Sequence, residues 1–242
     1  VTRHSSLVTR HSSLVTLIML PVEEVVAVIG AGSFGIAVAD LLSENTRVML
    51  YARRAEVVEA IRRREGEYAG LSERISVHND LAEIAAACTL LFVMVPSQSF
   101  RTLMRELSPH LSPSHLIIHG TKGLDISLSP AGAPINPKYI RTMSQVIAEE
   151  SVVCRIGCLS GPNLAGEIRA RQPAATLLSS RFKEVIKAGQ KALRSPRFLV
   201  YGNEDILGVE LSGTLKNIMA LAAGILAGRG WGKNVWALLV TR

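Results

Sequence analysis

The sequence predicts an α/β architecture, a mostly parallel sheet with helices on both faces, followed by the start of an all-helical second domain. Three observations carry this expectation. Short apolar runs rich in β-branched residues alternate with stretches of helical spacing over most of the chain. The first run, Val25-Val26-Ala27-Val28-Ile29, meets the turn Gly30-Ala31-Gly32-Ser33-Phe34-Gly35 and passes at once into a helical pattern. From Asp205 onward the texture changes to one long helix that is apolar nearly all round. A GxGxxG pattern alone is weak, but between a strand and a helix it marks a Rossmann-like dinucleotide site. There Gly30 permits the turn, Gly32 admits a pyrophosphate to the backbone, and Gly35 lets the helix sit close on the strand. The helix N-terminus then offers its free N–H groups to the phosphate.

Composition narrows the partners. A chain of 242 residues, 48% hydrophobic and 19% charged, is long enough to bury a sizeable core. Its formal charge of +7 favours anions, yet only 5% of residues are aromatic and no tract interleaves aromatics with basic residues as a single-strand binder would. Phosphorylated small molecules satisfy that charge, and no nucleic-acid partner is expected. Cys88, Cys154 and Cys158 are odd in number and lack CxxC spacing, so neither a disulfide framework nor a metal site is expected, and a reduced cytoplasmic setting is the default. Cys154 and Cys158 lie four apart, which in a strand places both on one face as small core residues.

In chain order, residues 1–7 and 8–14 are the same heptamer, Val-Thr-Arg-His-Ser-Ser-Leu, too short to be a solenoid unit, and 1–21 are set aside as a disordered or artefactual tail. The apolar stretch 14–20 is followed by no small-residue cleavage site, so secretion is not expected. A dinucleotide-binding domain over 22–202 begins with the strand and helix already described. A second strand over 47–51 ends in Ala52-Arg53-Arg54. About twenty positions past the first glycine, an acid favours NAD and an arginine accommodates the 2′-phosphate of NADP. Arg53 and Arg54 either serve that phosphate or merely start the next helix, over 55–64.

A strand over 75–78, a helix over 81–87 and the unbroken apolar run 90–95 follow, the last fitting a strand buried on both faces. It stops at Pro96-Ser97-Gln98, where Ser97 can cap a helix over 98–107. The strand 116–118 ends in His119-Gly120-Thr121-Lys122-Gly123, again polar groups and glycines at the edge where ligands bind. Residues 125–137 read as a surface loop. A helix over 140–149, a strand over 153–159, the turn Ser160-Gly161-Pro162-Asn163-Leu164-Ala165, a strand over 174–178, a helix over 182–193 and a strand over 198–201 close the domain. The long helix over 205–229, capped by Asn203 or Asp205, opens a second domain over 203–242. Its uninterrupted apolar part, 218–227, is about ten residues where a bilayer needs about twenty, so no integral membrane segment is expected. Lys216 beside that run is either buried, which lowers its pKa, or snorkels to solvent.

Five stretches in order, Gly30 to Gly35, Val95-Pro96-Ser97-Gln98, Thr121-Lys122-Gly123-Leu124, Ser160 to Ala165 and Gly208-Val209-Glu210-Leu211-Ser212-Gly213-Thr214-Leu215-Lys216-Asn217, resemble the NAD(P)-dependent glycerol-3-phosphate dehydrogenases. The likeness runs from Val25 to the last residue, and its last motif is far more specific than the glycine fingerprint. It implies hydride transfer between NADP or NAD, NADP being favoured by the arginines, and C2 of dihydroxyacetone phosphate or sn-glycerol 3-phosphate, supplying phospholipid synthesis. By the same resemblance Lys216 is the general acid/base and Lys122 lies beside both nicotinamide and substrate. Gly161, Asn163 and Asn217 orient the substrate, while Ser33, Phe34, Pro96 and Ala165 join the glycines at the cofactor. The substrate is a phosphorylated small molecule, and a homodimer is a possible assembly. Departures include Phe34 where tryptophan is common, Lys233 where an acid is usual, and a long link over 125–137. The family's Ser-Arg-Asn phosphate-binding motif has no counterpart before Arg242, which by the resemblance leaves the substrate pocket incomplete. Two alternatives stand beside this reading. One is a catalytically impaired nucleotide-binding fragment; the other is a dehydrogenase of another small hydroxy acid, which leaves Gly208 to Asn217 unexplained.

Overall fold

The structure, a computed structural model, describes residues 24–127, 130, 134 and 136–241. The duplicated heptamer, the stretch 14–20 and Arg242 lie outside the described residues. In chain order the elements are β1 (Val25–Ile29), α1 (Ser33–Ser43), β2 (Arg47–Tyr51), α2 (Ala55–Arg62), β3 (Ile75–His78), α3 (Leu81–Ala87), β4 (Leu90–Val93), α4 (Ser97–Leu107) and β5 (Leu116–His119). After these come α5 (Met143–Glu150), β6 (Arg155–Ser160), α6 (Ala165–Arg169), β7 (Ala174–Ser179), α7 (Lys183–Leu193), β8 (Phe198–Asn203), α8 (Ile206–Gly228) and α9 (Lys233–Thr241).

One eight-stranded sheet has the order β3-β2-β1-β4-β5-β6-β7-β8. Pairing is parallel from β3 to β6 and again between β7 and β8, with a single antiparallel step between β6 and β7. Period-two alternation splits each central strand between two cores. Val26, Val28, Leu50 and Phe92 pack against α1, α2 and α7 on one face, while Ala27, Ile29, Leu91 and Ile117 pack against α3, α4 and α5 on the other. Burial on both faces is why these strands read as continuous apolar runs.

Three local expectations are corrected, and one helix was not foreseen. The helix expected over 140–149 begins at Met143, because Thr142 and Gln145 form a reciprocal capping box and Pro137–Tyr139 makes a separate tight turn. The strand expected from 153 begins at Arg155, leaving Cys154 outside it and exposed, while Cys158 is buried as expected. Ser97 is not a cap: Pro96 occupies that position and Ser97 is the first residue of α4. Helix α9, which had no signal of its own, follows Gly230. At α8 the two candidate caps divide the work. Asp205 accepts from the Gly208 N–H at 2.9 Å, and Asn203 accepts from the Asp205 N–H at 2.6 Å.

Helix α8 has 23 residues and is long and apolar enough, by length and composition, to cross a membrane. Its first turns are docked on the sheet, with Ile206, Val209, Glu210 and Gly213 buried. Beyond them Leu215, Ile218, Leu221 and Ile225, with Trp231 and Trp236 after the turn, expose much of their apolar surface.

Candidate functional site

The site lies at the carboxyl edge of the sheet, where the chain leaves β1 toward β2 on one side and β4 flanks it on the other. Such a switch point leaves a crevice that loops cannot fill. Three glycines shape it in different ways. Gly30 has φ +115°, and a Cβ there would sit 2.5 Å from the Met94 carbonyl oxygen; a Cβ on Gly35 would sit 1.8 Å from the Gly30 carbonyl oxygen. Both are demanded by packing. Around Gly32, by contrast, nothing lies within 4 Å of that position. Gly32 is also the N-cap of α1 and supplies no capping side chain, so the first-turn N–H groups point at open space beside it. An anion with a slim backbone, as in a dinucleotide pyrophosphate, fits that cradle.

Two clefts share Gly32, Met94, Val95 and Pro96 and so form one trough. The first, about 400 Å³, runs to Arg53, Arg54, Thr102 and Glu106. The second, about 450 Å³, runs past Ser33 and Phe34 to Lys122, Asn163 and Ala165. Both arginines are exposed, and Arg54 contacts Glu56 at 3.6 Å with both side chains in water, a weak pairing that leaves the guanidinium available. Phe34 closes on the sheet edge at Gly120, where a Cβ would lie 2.9 Å from its ring.

At the far end of the trough Lys122 donates to the Gly161 carbonyl at 3.4 Å and faces Lys216. Its pKa is lowered, first by partial desolvation of the ammonium and then by the Lys216 charge. Two ammonium groups that repel one another hold a place for negative charge between them. Lys216 itself is exposed, which decides between the two readings of it in favour of solvent access. Asn217 is exposed on α8 and lines neither cleft. Asn163 donates to Thr176 Oγ1 at 2.7 Å, while its own Oδ1 is buried with no hydrogen-bond partner among the described residues. Among the described residues no group of three or more histidine, cysteine or acidic side chains could hold a metal.

Sequence reasoning missed the groups behind the lysines. His119, fully buried at the end of β5, contacts Glu210 of α8 at 3.0 Å between Nε2 and Oε1. Glu210 also accepts from the Ser144 N–H at 2.8 Å and from Ser144 Oγ at 2.5 Å. The signal was present: an ionisable residue ends one apolar run and another interrupts a second, and each needs a partner if buried. What the sequence does not tell is that they partner each other.

Residues 25–186 match the family described as NAD-dependent glycerol-3-phosphate dehydrogenase N-terminus, and residues 205–242 its C-terminus. Among curated relatives, a glycerol-3-phosphate dehydrogenase [NAD(P)+] of Sphingopyxis alaskensis is 38% identical over 90% of this chain and 63% of its own length. That of Syntrophotalea carbinolica is 37% identical over 90% of this chain and 65% of its own length. The chain spans less than two thirds of the length of these relatives. The crystal structure of glycerol-3-phosphate dehydrogenase from Coxiella burnetii superposes with a TM-score of 0.75 at 30% identity, covering 90% of this chain and 66% of that one.

Proposed function

This chain belongs to the NAD-dependent glycerol-3-phosphate dehydrogenase family, and on that premise we propose that the whole protein interconverts dihydroxyacetone phosphate and sn-glycerol 3-phosphate with NADPH or NADH. The observation that carries the reading is the meeting of Lys122 and Lys216 at one end of a trough that has Gly32 at its middle and Arg53 and Arg54 at its other end. The nicotinamide, when bound, supplies or takes up the hydride. The pyrophosphate rests on the Gly32 turn and the first N–H groups of α1, with Ser33, Phe34, Pro96 and Ala165 along the same wall. Arg53 and Arg54 face the adenosine end and favour a 2′-phosphate.

As the C2 ketone becomes an alcohol, negative charge grows on its oxygen. An ammonium beside that oxygen stabilises the charge and donates the proton, and Lys216 is the group for this role. Lys122, with its lowered pKa and a hold on the Gly161 carbonyl, orients the substrate and strengthens the field at the same oxygen. Asn163, which lines the second cleft, orients the substrate there, and Asn217, next to Lys216 on α8 though outside both clefts, is assigned the same task. The chain divides into a dinucleotide-binding domain over 22–202 and the first part of a helical substrate domain over 203–242. Docking of the first turns of α8 on the sheet, with Glu210 in a buried ion pair, supports reading that helix as the spine of the second domain rather than as a membrane span. A cytoplasmic location, a role in phospholipid synthesis and a homodimer belong to the same proposal.

Steady-state oxidation of NADPH with dihydroxyacetone phosphate, in the whole protein, tests it. Turnover is expected, and Lys216→Ala is expected to lower kcat by about a hundredfold or more while leaving NADPH affinity unchanged. Full activity in that variant would move the acid/base role to another group.

A further inference from the structure

We propose that the buried cluster of His119, Glu210 and Ser144, continued through Thr214 to the amide of Gly123, is a positioning device that fixes where Lys216 stands relative to Lys122. The inference rests on the assignment of those two lysines to the reaction centre. Two elements, β5 and α5, converge on Glu210 of α8. Its carboxylate meets His119 from β5 and takes both the N–H and the hydroxyl of Ser144 at the start of α5. Its carbonyl accepts from Thr214 Oγ1 at 2.9 Å, and Thr214 Oγ1 accepts in turn from the Gly123 N–H at 3.2 Å. Gly123 follows Lys122 and Thr214 precedes Lys216 by two residues. One continuous polar chain thus runs from the strand end that carries the first lysine to the helix turn that carries the second.

Apolar contact alone cannot set this relation. Only Ile206, Val209, Glu210 and Gly213 of the 23-residue helix are buried, and non-directional packing of so few groups tolerates rotation or sliding of the helix. Hydrogen bonds and an ion pair tolerate neither, because they lose their geometry within a fraction of a helical turn. Close fit adds to the constraint. A Cβ on Gly213 would lie 2.9 Å from Ser160 Oγ, and Gly123, at φ +138°, has Ser97 beneath it, 2.7 Å from where its Cβ would stand. The groups facing His119 are Cys158 from β6, Glu210 from α8 and the edge-on ring of Phe100 from α4, 5.8 Å away between centroids. Those facing Lys122 are Lys216, Cys158 and the Gly161 carbonyl. None of the cluster residues touches the trough, so their role is positioning rather than chemistry.

The test reads the meeting of the lysines directly, without turnover. In the 242-residue chain labelled with ¹³C-lysine, the Cε resonance of Lys122 is followed by NMR as a function of pH, and Lys216→Ala marks the shift caused by losing the facing charge. Glu210→Gln keeps shape and removes charge; Thr214→Val removes only the link to Gly123. Both are expected to raise the Lys122 titration toward the ordinary lysine value, in the same direction as Lys216→Ala. A fall in melting temperature with Lys122 titrating as in the wild type in both variants means the cluster merely stabilises the fold, and overturns the proposal. Should Glu210→Gln fail to fold, Thr214→Val decides alone, since it leaves the buried pair intact. Calorimetry with NADPH on the unmodified chain tests the underlying assignment separately: absence of binding there defeats that reading and leaves the lysine result standing as a statement about geometry.

Discussion

At the scale of single residues, the three glycines of the turn separate packing from binding. Gly35→Ala drives a Cβ into the Gly30 carbonyl and is expected to destabilise the fold by about 1–3 kcal/mol or more, seen as a lower melting temperature. Gly32→Ala meets no neighbour, so its melting temperature is expected to stay close to wild type while calorimetry shows NADPH binding weakened. A Gly32→Ala protein that binds normally would remove the pyrophosphate from this turn. Arg53→Ala with Arg54→Ala is expected to cost NADPH, but not NADH, about 1.5–3 kcal/mol, the value of a charge-assisted contact, which is roughly tenfold or more in the ratio of dissociation constants. The places of Gly30, Gly32, Arg53 and Arg54 along the crevice were legible in the sequence because they depend on local spacing. Cys154 was not: whether a strand starts at 153 or 155 is settled by its partner, Leu116 pairing with Arg155.

At the scale of elements, α8 carries the most consequence per residue. Removing its cap with Asp205→Ala is expected to cost about 1 kcal/mol in chemical unfolding. Its ion pair with β5 gives stability a defined pH dependence. Burial works against a charged His119 ring, but Cys158 and Glu210 outweigh it and raise the pKa from 6.5 to about 10. The His119 contribution is therefore complete below about pH 6.5 and is lost as pH climbs toward 10. Burial raises the Glu210 pKa, and His119 and Ser144 more than reverse this, so its contribution is present above pH 4.5 and is lost as pH falls through the lowered folded value. Glu210→Ala is expected to cost on the order of 3–5 kcal/mol, the scale for stranding one partner of a buried pair. The gap from wild type should be widest between pH 4.5 and 6.5 and close toward pH 10; a gap independent of pH would show that the pair is not ionised. Strands and helices here were largely legible because apolar runs and breakers are local signals. The pairing of His119 with Glu210 was not, being a property of how distant elements meet.

At the scale of the whole molecule, the carboxyl edge of the sheet is braced from behind. Arg101 of α4, nearly buried, binds Asp125 at 2.7 Å and Glu149 at 2.8 Å and also contacts Glu150, tying the loop after β5 to α5. The exposed side of α8 and α9 is a different matter: Trp231 and Trp236 are 53% and 52% exposed, so a partner seated on that face should shift their fluorescence to the blue. The sheet was expected to be mostly parallel and is, but the reversal between β6 and β7 was not revealed by local pattern, and it matters most. Because β7 and β8 run opposite to β1–β6, the chain leaves β8 at Asn203, beside Ser179 and so level with Cys158 and, across the next strand, with His119 at the end of β5. Helix α8 must then climb along β6 until Gly213 reaches Ser160, and ten residues at about 1.5 Å each bring it from Ile206 to Lys216. The helix is a gauge rod: the count of residues along it, not any contact of Lys216 itself, decides the height and bearing at which that ammonium arrives. One alanine inserted between Leu215 and Lys216 leaves the docked turns alone but swings the ammonium by about 100°. NADPH should bind such a protein as before, and hydride transfer should all but cease.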